Sequence, residues 1–308
     1  MTNNTEKIFG RLNVDHPLVD ELASGKHVWW NRLVGLSHSD PDINIQVRGS
    51  YLNVYCKMGN LLKIYMQGKK VACKVHYKYL VGARTPEYIE TYPSGDDIGI
   101  KEKPCDFVNS ILDEKFFKAV KQNIGTYAGE EKRIQSRLVE KNKGTILDVE
   151  VAFSDTEVLA DSDDGNTRID FANYDKNMKC LVFIELKQIF DSRLYTKEMN
   201  EQIQKYSTFA KKHEQPLIAA YNDVIQVKKK LGIIDQQSPL WNVVITRVEH
   251  KPILAVAGYN QTIIDAMKPK IRGINNDKLD TSKLAALCFF GTDSDLNLKK
   301  GKNKEVYI

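Results

Sequence analysis

The sequence predicts an α/β protein in two parts. Residues 1–125 form a β-rich antiparallel domain, and residues 126–308 form a domain whose mixed sheet is flanked by helices. Three observations carry this. Between Ile43 and Tyr77, short runs of alternating apolar and polar residues are separated by turn residues, the pattern of an antiparallel meander. Beyond Tyr127, helical periodicity and strand-like runs follow one another, as in a sheet covered by helices. Among the later runs, Ile253–Ala257 is apolar throughout, as a strand covered on both faces is.

The first domain opens on Ile43–Val47, Ile-Asn-Ile-Gln-Val, a half-buried strand, and Arg48-Gly49-Ser50 bends the chain. Strands then follow over Tyr51–Lys57, Leu61–Met66 and Val71–Tyr77. Met58-Gly59-Asn60 and Gln67-Gly68-Lys69-Lys70 serve as hairpin loops. A helix over Asp106–Asn123 closes the domain, with Phe107, Ile111, Leu112, Phe116, Phe117 and Val120 on one stripe. One face of the meander collects Leu52, Val54, Leu62, Ile64, Val71, Cys73 and Val75. The other collects Tyr51, Tyr55, Lys63, Tyr65, Lys74, His76 and Lys78. Aromatics interleaved with lysines can stack on bases and meet phosphates. Plain cross-strand pairing on a solvated face is the structural alternative, and the commoner one.

The second domain starts with a helix over Glu130–Lys141, stopped by Gly144. Thr145–Phe153 is a strand, Ser154–Asn166 an acidic loop, and Arg168–Ala172 a short strand. Asp175-Lys176-Asn177 turns into the strongly apolar strand Leu181–Leu186. Helices follow over Lys197–His213 and Pro216–Leu231, and strands over Trp241–Val248, Ile253–Ala257 and Leu284–Phe290. Lys299–Lys304 is a solvated basic tail. Asp161–Asp164 lacks the full alternation and downstream Glu of a calcium loop, and is expected to be a solvated hairpin.

Composition excludes several classes. With 42% hydrophobic residues, 18 Gly and 9 Pro, the chain is neither intrinsically disordered nor fibrous. Its longest apolar runs fall short of the roughly 20 residues that cross a bilayer, so no membrane partner is expected. Met1–Arg11 lacks the apolar segment of a secretory signal. Five cysteines without a CxxC pair argue against a disulfide framework, and the six histidines lack zinc-site spacing. A reduced, cytoplasmic setting is the expectation. The net charge of +5 permits nucleic-acid binding without requiring it.

Chemistry is concentrated where polar residues interrupt strands. Asp170 lies between Ile169 and Phe171. Glu185 and Lys187 end the run Cys180-Leu181-Val182-Phe183-Ile184. Buried carboxylates are costly unless paired or bound to metal. Two residues apart on a strand, Glu185 and Lys187 share a face. If Asp170 sits on the neighbouring strand of a hairpin, two carboxylates and an ammonium converge. Two hard oxygen ligands with open positions suit Mg2+, and a lysine beside them can position water and neutralise phosphoryl charge. On the following helix Gln202 and Tyr206 are one turn apart, with Met199 and Phe209 on the same side. On the preceding helix Glu131 and Gln135 are likewise one turn apart, beside Ile134 and Leu138. Asp148 and Glu150 alternate with Val149 and Val151 and are expected to face outward, the lesser alternative being that Asp148 joins the site.

These motifs, Ile169-Asp170, Glu185-Leu186-Lys187 and Gln202-Ile-Gln-Lys-Tyr206, follow the order helix-Glu, strand, strand-Asp, strand-Glu-x-Lys, helix-Gln-x-x-x-Tyr. That order resembles the PD-(D/E)xK nuclease superfamily, and the Gln-x-x-x-Tyr element resembles its RecB and Cas4 type. The resemblance covers about Tyr127–Phe209. It implies a restriction-endonuclease-like mixed sheet and Mg2+-dependent hydrolysis of DNA, with Mn2+ able to substitute. It implies that Asp170, Glu185 and the Leu186 carbonyl hold the metal and that Lys187 works on the attacking water. Gln202 and Tyr206 would support the site or touch the DNA backbone. The family's helix glutamate maps onto Glu131, with Glu130 and Glu140 as rivals. Ile169 stands where the eponymous Pro would be. The cysteines of an iron–sulfur centre are missing, so no such cluster is expected. Many nucleases of this fold dimerise to cut both strands, so a homodimer is compatible with the resemblance. The rival reading is a catalytically silent nucleic-acid-binding or protein-interaction module on the same fold.

Overall fold

The computed structural model describes residues 12–76, 79, 97–99, 108–109, 112–153, 167–258, 260–272, 279–290, 298 and 304–306. The chain forms two compact units, neither of them one stretch of sequence. A meander unit comprises Gly10–Ser136 with Asp223–Trp241, and a mixed-sheet unit includes Arg137–Asn222 with Asn242–Ile308. No helix among the described residues is long and apolar enough to cross a membrane.

In the meander unit, helices α1 (Pro17–Ala23) and α2 (Val28–Ser39) precede strands β1 (Ile43–Val47), β2 (Tyr51–Cys56), β3 (Gly59–Gln67) and β4 (Lys70–His76). A three-residue strand, β5 (Asp97–Gly99), extends the sheet, whose order is β1-β2-β3-β4-β5, antiparallel throughout. The expected apolar face is buried: Leu52, Val54, Leu62, Ile64, Val71, Cys73 and Val75 are each at most 6% exposed. Helix α1 packs on β3 and α2 on β1. Both helices are additions to the sequence expectation. Pro17 at the first turn and the His16 ring, which accepts the Leu18 N–H, start α1.

The first hairpin turns one residue earlier than expected. Lys57 and Met58 take the left-handed turn conformation (φ 49° and 62°), and Gly59 begins β3. Gly59 is needed for proximity instead, since a Cβ there would lie 2.6 Å from Ile124 Cγ2. Ile124 belongs to α3 (Glu114–Tyr127). The expected helix over Asp106–Asn123 runs on to Tyr127; Val108 and Asn109 are helical ahead of the Asp113 cap, and residues 106–107 and 110–111 lie outside the described residues. Asp113 caps α3, its carboxylate accepting the N–H groups of Lys115 and Phe116. Tyr55, expected on the open face, is only 3% exposed. The β2–β3 register shifts at Val54/Tyr55, and the Tyr55 hydroxyl takes hydrogen bonds from Arg48 and Asn53.

Helix α4 (Glu130–Asn142) and the mixed sheet follow. The strands are β6 (Ile146–Phe153), β7 (Thr167–Asp175), β8 (Cys180–Gln188), β9 (Ile253–Ala257), β10 (Ala286–Phe290) and the short β11 (Lys304–Val306). Their order is β11-β10-β9-β8-β7-β6. β6, β7 and β8 form an antiparallel meander, β8, β9 and β10 are parallel, and β11 is antiparallel to β10. The parallel strands are connected by helices, as such pairs must be. These are α5 (Lys197–Lys212), α6 (Glu214–Lys230) and α7 (Gln261–Arg272). The expected turn after Asp175 is present, its carboxylate accepting the N–H groups of Asn177 and Met178. The acidic loop 154–166 and most of the basic tail lie outside the described residues.

One face of this sheet forms a core between Leu254, Val256, Leu287 and Phe289 of the strands, Met199 and Ile203 of α5, and Ile264 and Ile271 of α7. α7 was not legible in advance, since Pro269 interrupts its pattern. Trp241–Val248, expected as a strand, is irregular apart from one bridge from Val248 to Leu181. Its backbone is satisfied differently. Asn222 accepts the Ile245 N–H and donates to the Ile245 carbonyl, both at 2.9 Å. Asn222→Ala is expected to lower stability by about 1–3 kcal/mol, two modest bonds, read from urea unfolding. An unchanged midpoint would show that the side chain does not hold this segment.

Candidate functional site

β8 lies inside the sheet, between β7 and β9, and residues 180–187 are all buried. Its apolar run therefore carries Glu185 and Lys187 into the interior, where they are 3% and 5% exposed. The β7–β8 register pairs Phe171 with Ile184. One step further along, Asp170 lies across from Glu185, and opposed residues share a face. The convergence expected from sequence is thus present. The Asp170 carboxylate accepts the Leu186 N–H at 2.7 Å, which fixes it over the end of β8.

Helix α5 completes the site. Met199, Ile203, Tyr206, Phe209 and Ala210 form its buried stripe, at helical spacing. Tyr206 and half-buried Gln202 reach Glu185 from that stripe. Tyr206 donates its hydroxyl to Glu185 Oε2 at 2.9 Å. Gln202 Nε2 donates to Glu185 Oε1 at 2.8 Å and also to the Tyr206 hydroxyl. The Lys187 ammonium is ion-paired to the same Oε1. The start of α5 is anchored by a single-turn helix, Ser192–Tyr195. There Tyr195 donates its hydroxyl to the Ile189 carbonyl just past β8.

Burial pushes the Glu185 carboxyl above its ordinary range, against the opposing pull of Lys187, Tyr206 and Gln202. Burial, then the Glu185 charge, raises the Tyr206 phenol, so it remains a proton donor. Against the upward push of its own burial, Asp191 is held low by hydrogen bonds from Arg193, and it also feels the Lys187 charge.

Glu131 and Gln135 lie in the part of α4 that belongs to the meander unit. Glu131 is exposed, and its carboxylate accepts from buried Gln135 at 3.4 Å. Glu130 pairs with Arg133, and Glu140 is exposed.

Asp148 corrects an expectation. It is 1% exposed instead of facing outward. A register shift lies between Ile146 and Asp148, and beyond it Asp148 pairs with Ala172, on the face that carries Asp170; that face is covered as fully as the opposite one, Ala172 and Phe171 both being 0% exposed. Glu150 has φ 48°, outside strand geometry. No sequence signal marks the bulge. Also unforeseen is Phe190, a large aromatic 56% exposed immediately after β8.

The donor set fits a hard divalent cation. Asp170 and Glu185 are carboxylates side by side on adjacent strands, and Mg2+ is usually held by one or two carboxylates with substrate phosphates completing the shell. Among the described residues no cluster of three or more His, Cys, Asp or Glu side chains forms an all-protein cage. No family model, curated protein or solved structure matches this chain.

The ion pair makes a testable demand. In Lys187→Met the Glu185 carboxylate stays buried without its cation, and breaking a buried pair typically costs about 3–5 kcal/mol. For an acid whose folded pKa lies above its unfolded value, the folded form keeps a proton that the unfolded form has lost. Stability then falls as pH rises through that window and stays low above it. The variant's deficit, measured by urea unfolding with a chelator present, should be largest above that window and shrink as pH falls through it toward the ordinary carboxylate range. A deficit independent of pH would refute this assignment.

Proposed function

We propose that this chain is a metal-dependent nuclease of the PD-(D/E)xK type, with a restriction-endonuclease-like sheet, that hydrolyses phosphodiester bonds of DNA. The convergence of Asp170, Glu185, Lys187, Gln202 and Tyr206 carries the reading. The element order supports it: α4, β6, β7 with Asp170, β8 with Glu185 and Lys187, then α5 with Gln202 and Tyr206.

Asp170 and Glu185, with the Leu186 carbonyl, would hold Mg2+ or Mn2+. When bound, such a cation acidifies water and offsets charge on a phosphoryl group. The chain's own residues supply the rest. Tyr206 and Gln202 fix both oxygens of Glu185, so the carboxylate is set before substrate arrives. The Leu186 N–H does the same for Asp170. Lys187 is an ammonium donor at the same spot, able to orient a water and to stabilise negative charge growing on the phosphate. Burial of Glu185, Lys187 and Tyr206 keeps bulk water away and strengthens each of these interactions. Glu131 is given no step.

One observation favours the catalytically silent alternative. The chain's own Lys187, Gln202 and Tyr206 already donate three hydrogen bonds to Glu185. Binding of Mn2+, read by calorimetry, separates the two, because a silent network binds none.

The direct test is cleavage of labelled single- and double-stranded DNA with Mg2+ or Mn2+. The wild type is expected to cut, and Asp170→Asn to be slower by at least about 100-fold with unchanged circular dichroism. Undiminished cutting by Asp170→Asn, or a wild type inert on every DNA form, overturns the proposal.

A further inference from the structure

We infer that the open face of the meander holds a pocket for a nucleotide unit, with the phosphate between Lys63 and Lys74 and the base against Tyr51 or Tyr65. A cavity of about 270 Å3 opens there, lined by His16, Ser50, Tyr51, Lys63, Tyr65 and Lys74 among others. That is near the small end of small-molecule sites and matches a mononucleotide better than a larger ligand.

The sheet register explains why the pocket seeks an anion. Lys63 pairs directly with Lys74 across β3 and β4. Like charges placed opposite each other destabilise a sheet. Among the described residues no carboxylate lines the cavity. In the absence of an anion each ammonium rests on an aromatic ring. Lys63 Nζ lies 3.9 Å from the Tyr51 ring centre, and Lys74 Nζ 5.9 Å from that of Tyr65. Such contacts at half-exposed positions are weaker than a charge-assisted hydrogen bond to phosphate, so the ammoniums can leave the rings for one. Their departure uncovers the rings for stacking. The same register pairs Tyr51 with Tyr65.

Of the other described lining residues, Met66 is apolar and His16 and Ser50 are donors. His16 Nδ1 accepts the Leu18 N–H at 3.1 Å, which leaves Nε2 as the ring's N–H. Ser50 adds a hydroxyl. Two cations, neutral donors and two aromatic faces use both halves of a nucleotide, whereas a simple dicarboxylate would leave the rings unused. Every described lining residue belongs to the meander unit, so the inference does not rest on the nuclease reading.

The test uses the full chain with a chelator, so that no cleavage intervenes. Binding of a labelled oligothymidylate is followed by anisotropy, and binding of thymidine monophosphate and of inorganic phosphate by calorimetry. The Lys63→Glu, Lys74→Glu double variant is expected to lose at least tenfold in affinity at low salt. Its salt dependence should become shallower by about 1.4, two phosphate contacts at about 0.7 each for a single strand. Tyr51→Leu should weaken binding without changing the slope. Binding of the mononucleotide alone identifies a free nucleotide as the ligand. Binding of the strand through the same residues identifies a polymer, and either sustains the proposal. If the double reversal fails to fold, Lys63→Gln with Lys74→Gln carries the same comparison. Unchanged affinity and slope in the folded variant overturn the site, as does absence of binding to either ligand. Inorganic phosphate binding as tightly as the mononucleotide, with Tyr51→Leu silent, overturns the nucleotide assignment. Cleavage assays are independent of every one of these outcomes.

Discussion

A carboxylate and an ammonium sit two residues apart at the covered end of β8, and much of the mixed-sheet unit is arranged to satisfy them. Removing both charges from water is expensive, and their mutual attraction offsets that only when the remaining lone pairs are also met. The register of α5 follows from this. Gln202 and Tyr206 must stand one turn apart on the buried stripe, each reaching a different oxygen of Glu185. A slip of one residue would swing both away by about 100°. The single-turn helix before α5, tied to Ile189 through Tyr195, sets where α5 begins and so helps hold that register.

A network of this kind is a poor device for stability alone. Apolar side chains of similar volume would pack the same space at equal or lower free energy. What the polar arrangement provides is orientation: two carboxylates on adjacent strands, one steered by a backbone N–H and one by two side chains, with an ammonium at hand. Preorganised charge is what phosphoryl chemistry draws on most. The connection from sequence to the proposed function therefore runs through burial. The apolar run of β8 puts Glu185 in the interior, the interior forces partners on it, and the partners fix its geometry.

The same logic separates what was legible in the sequence from what was not. Glu185 and Lys187 stood out because they break an apolar strand. Asp170 stood out because the turn at Asp175 folds its strand back alongside. Gln202 and Tyr206 were readable from helical spacing. Strands β1 to β4 declared themselves by alternation. Asp148 and Tyr55 were misjudged for a common reason: period-two counting assigns a residue to a face but does not say whether that face is covered. The Trp241–Val248 run looked like a strand because its composition is strand-like, yet Asn222 supplies the hydrogen bonds a neighbouring strand would have given. Gly59 was read as a turn residue, while the structure uses its small size under Ile124. Each miss depends on a partner distant in sequence or on a local irregularity, and neither leaves a mark in the pattern of one segment.

The two sheets place lysines in opposite electrostatic situations. On β8, spacing along one strand sets Lys187 beside Glu185, and the charge is answered within the unit. Across β3 and β4, pairing between strands sets Lys63 opposite Lys74, and among the described residues no lining carboxylate answers either. Tyrosine rings relieve this repulsion only in part, since a ring quadrupole carries no net charge. The first arrangement is complete in itself and favours a fixed geometry. The second sets two like charges beside an open cavity, and the proposed nucleotide pocket rests on that arrangement. A modest overall charge of +5 hides that difference, because recognition depends on where charges lie unanswered and not on their sum.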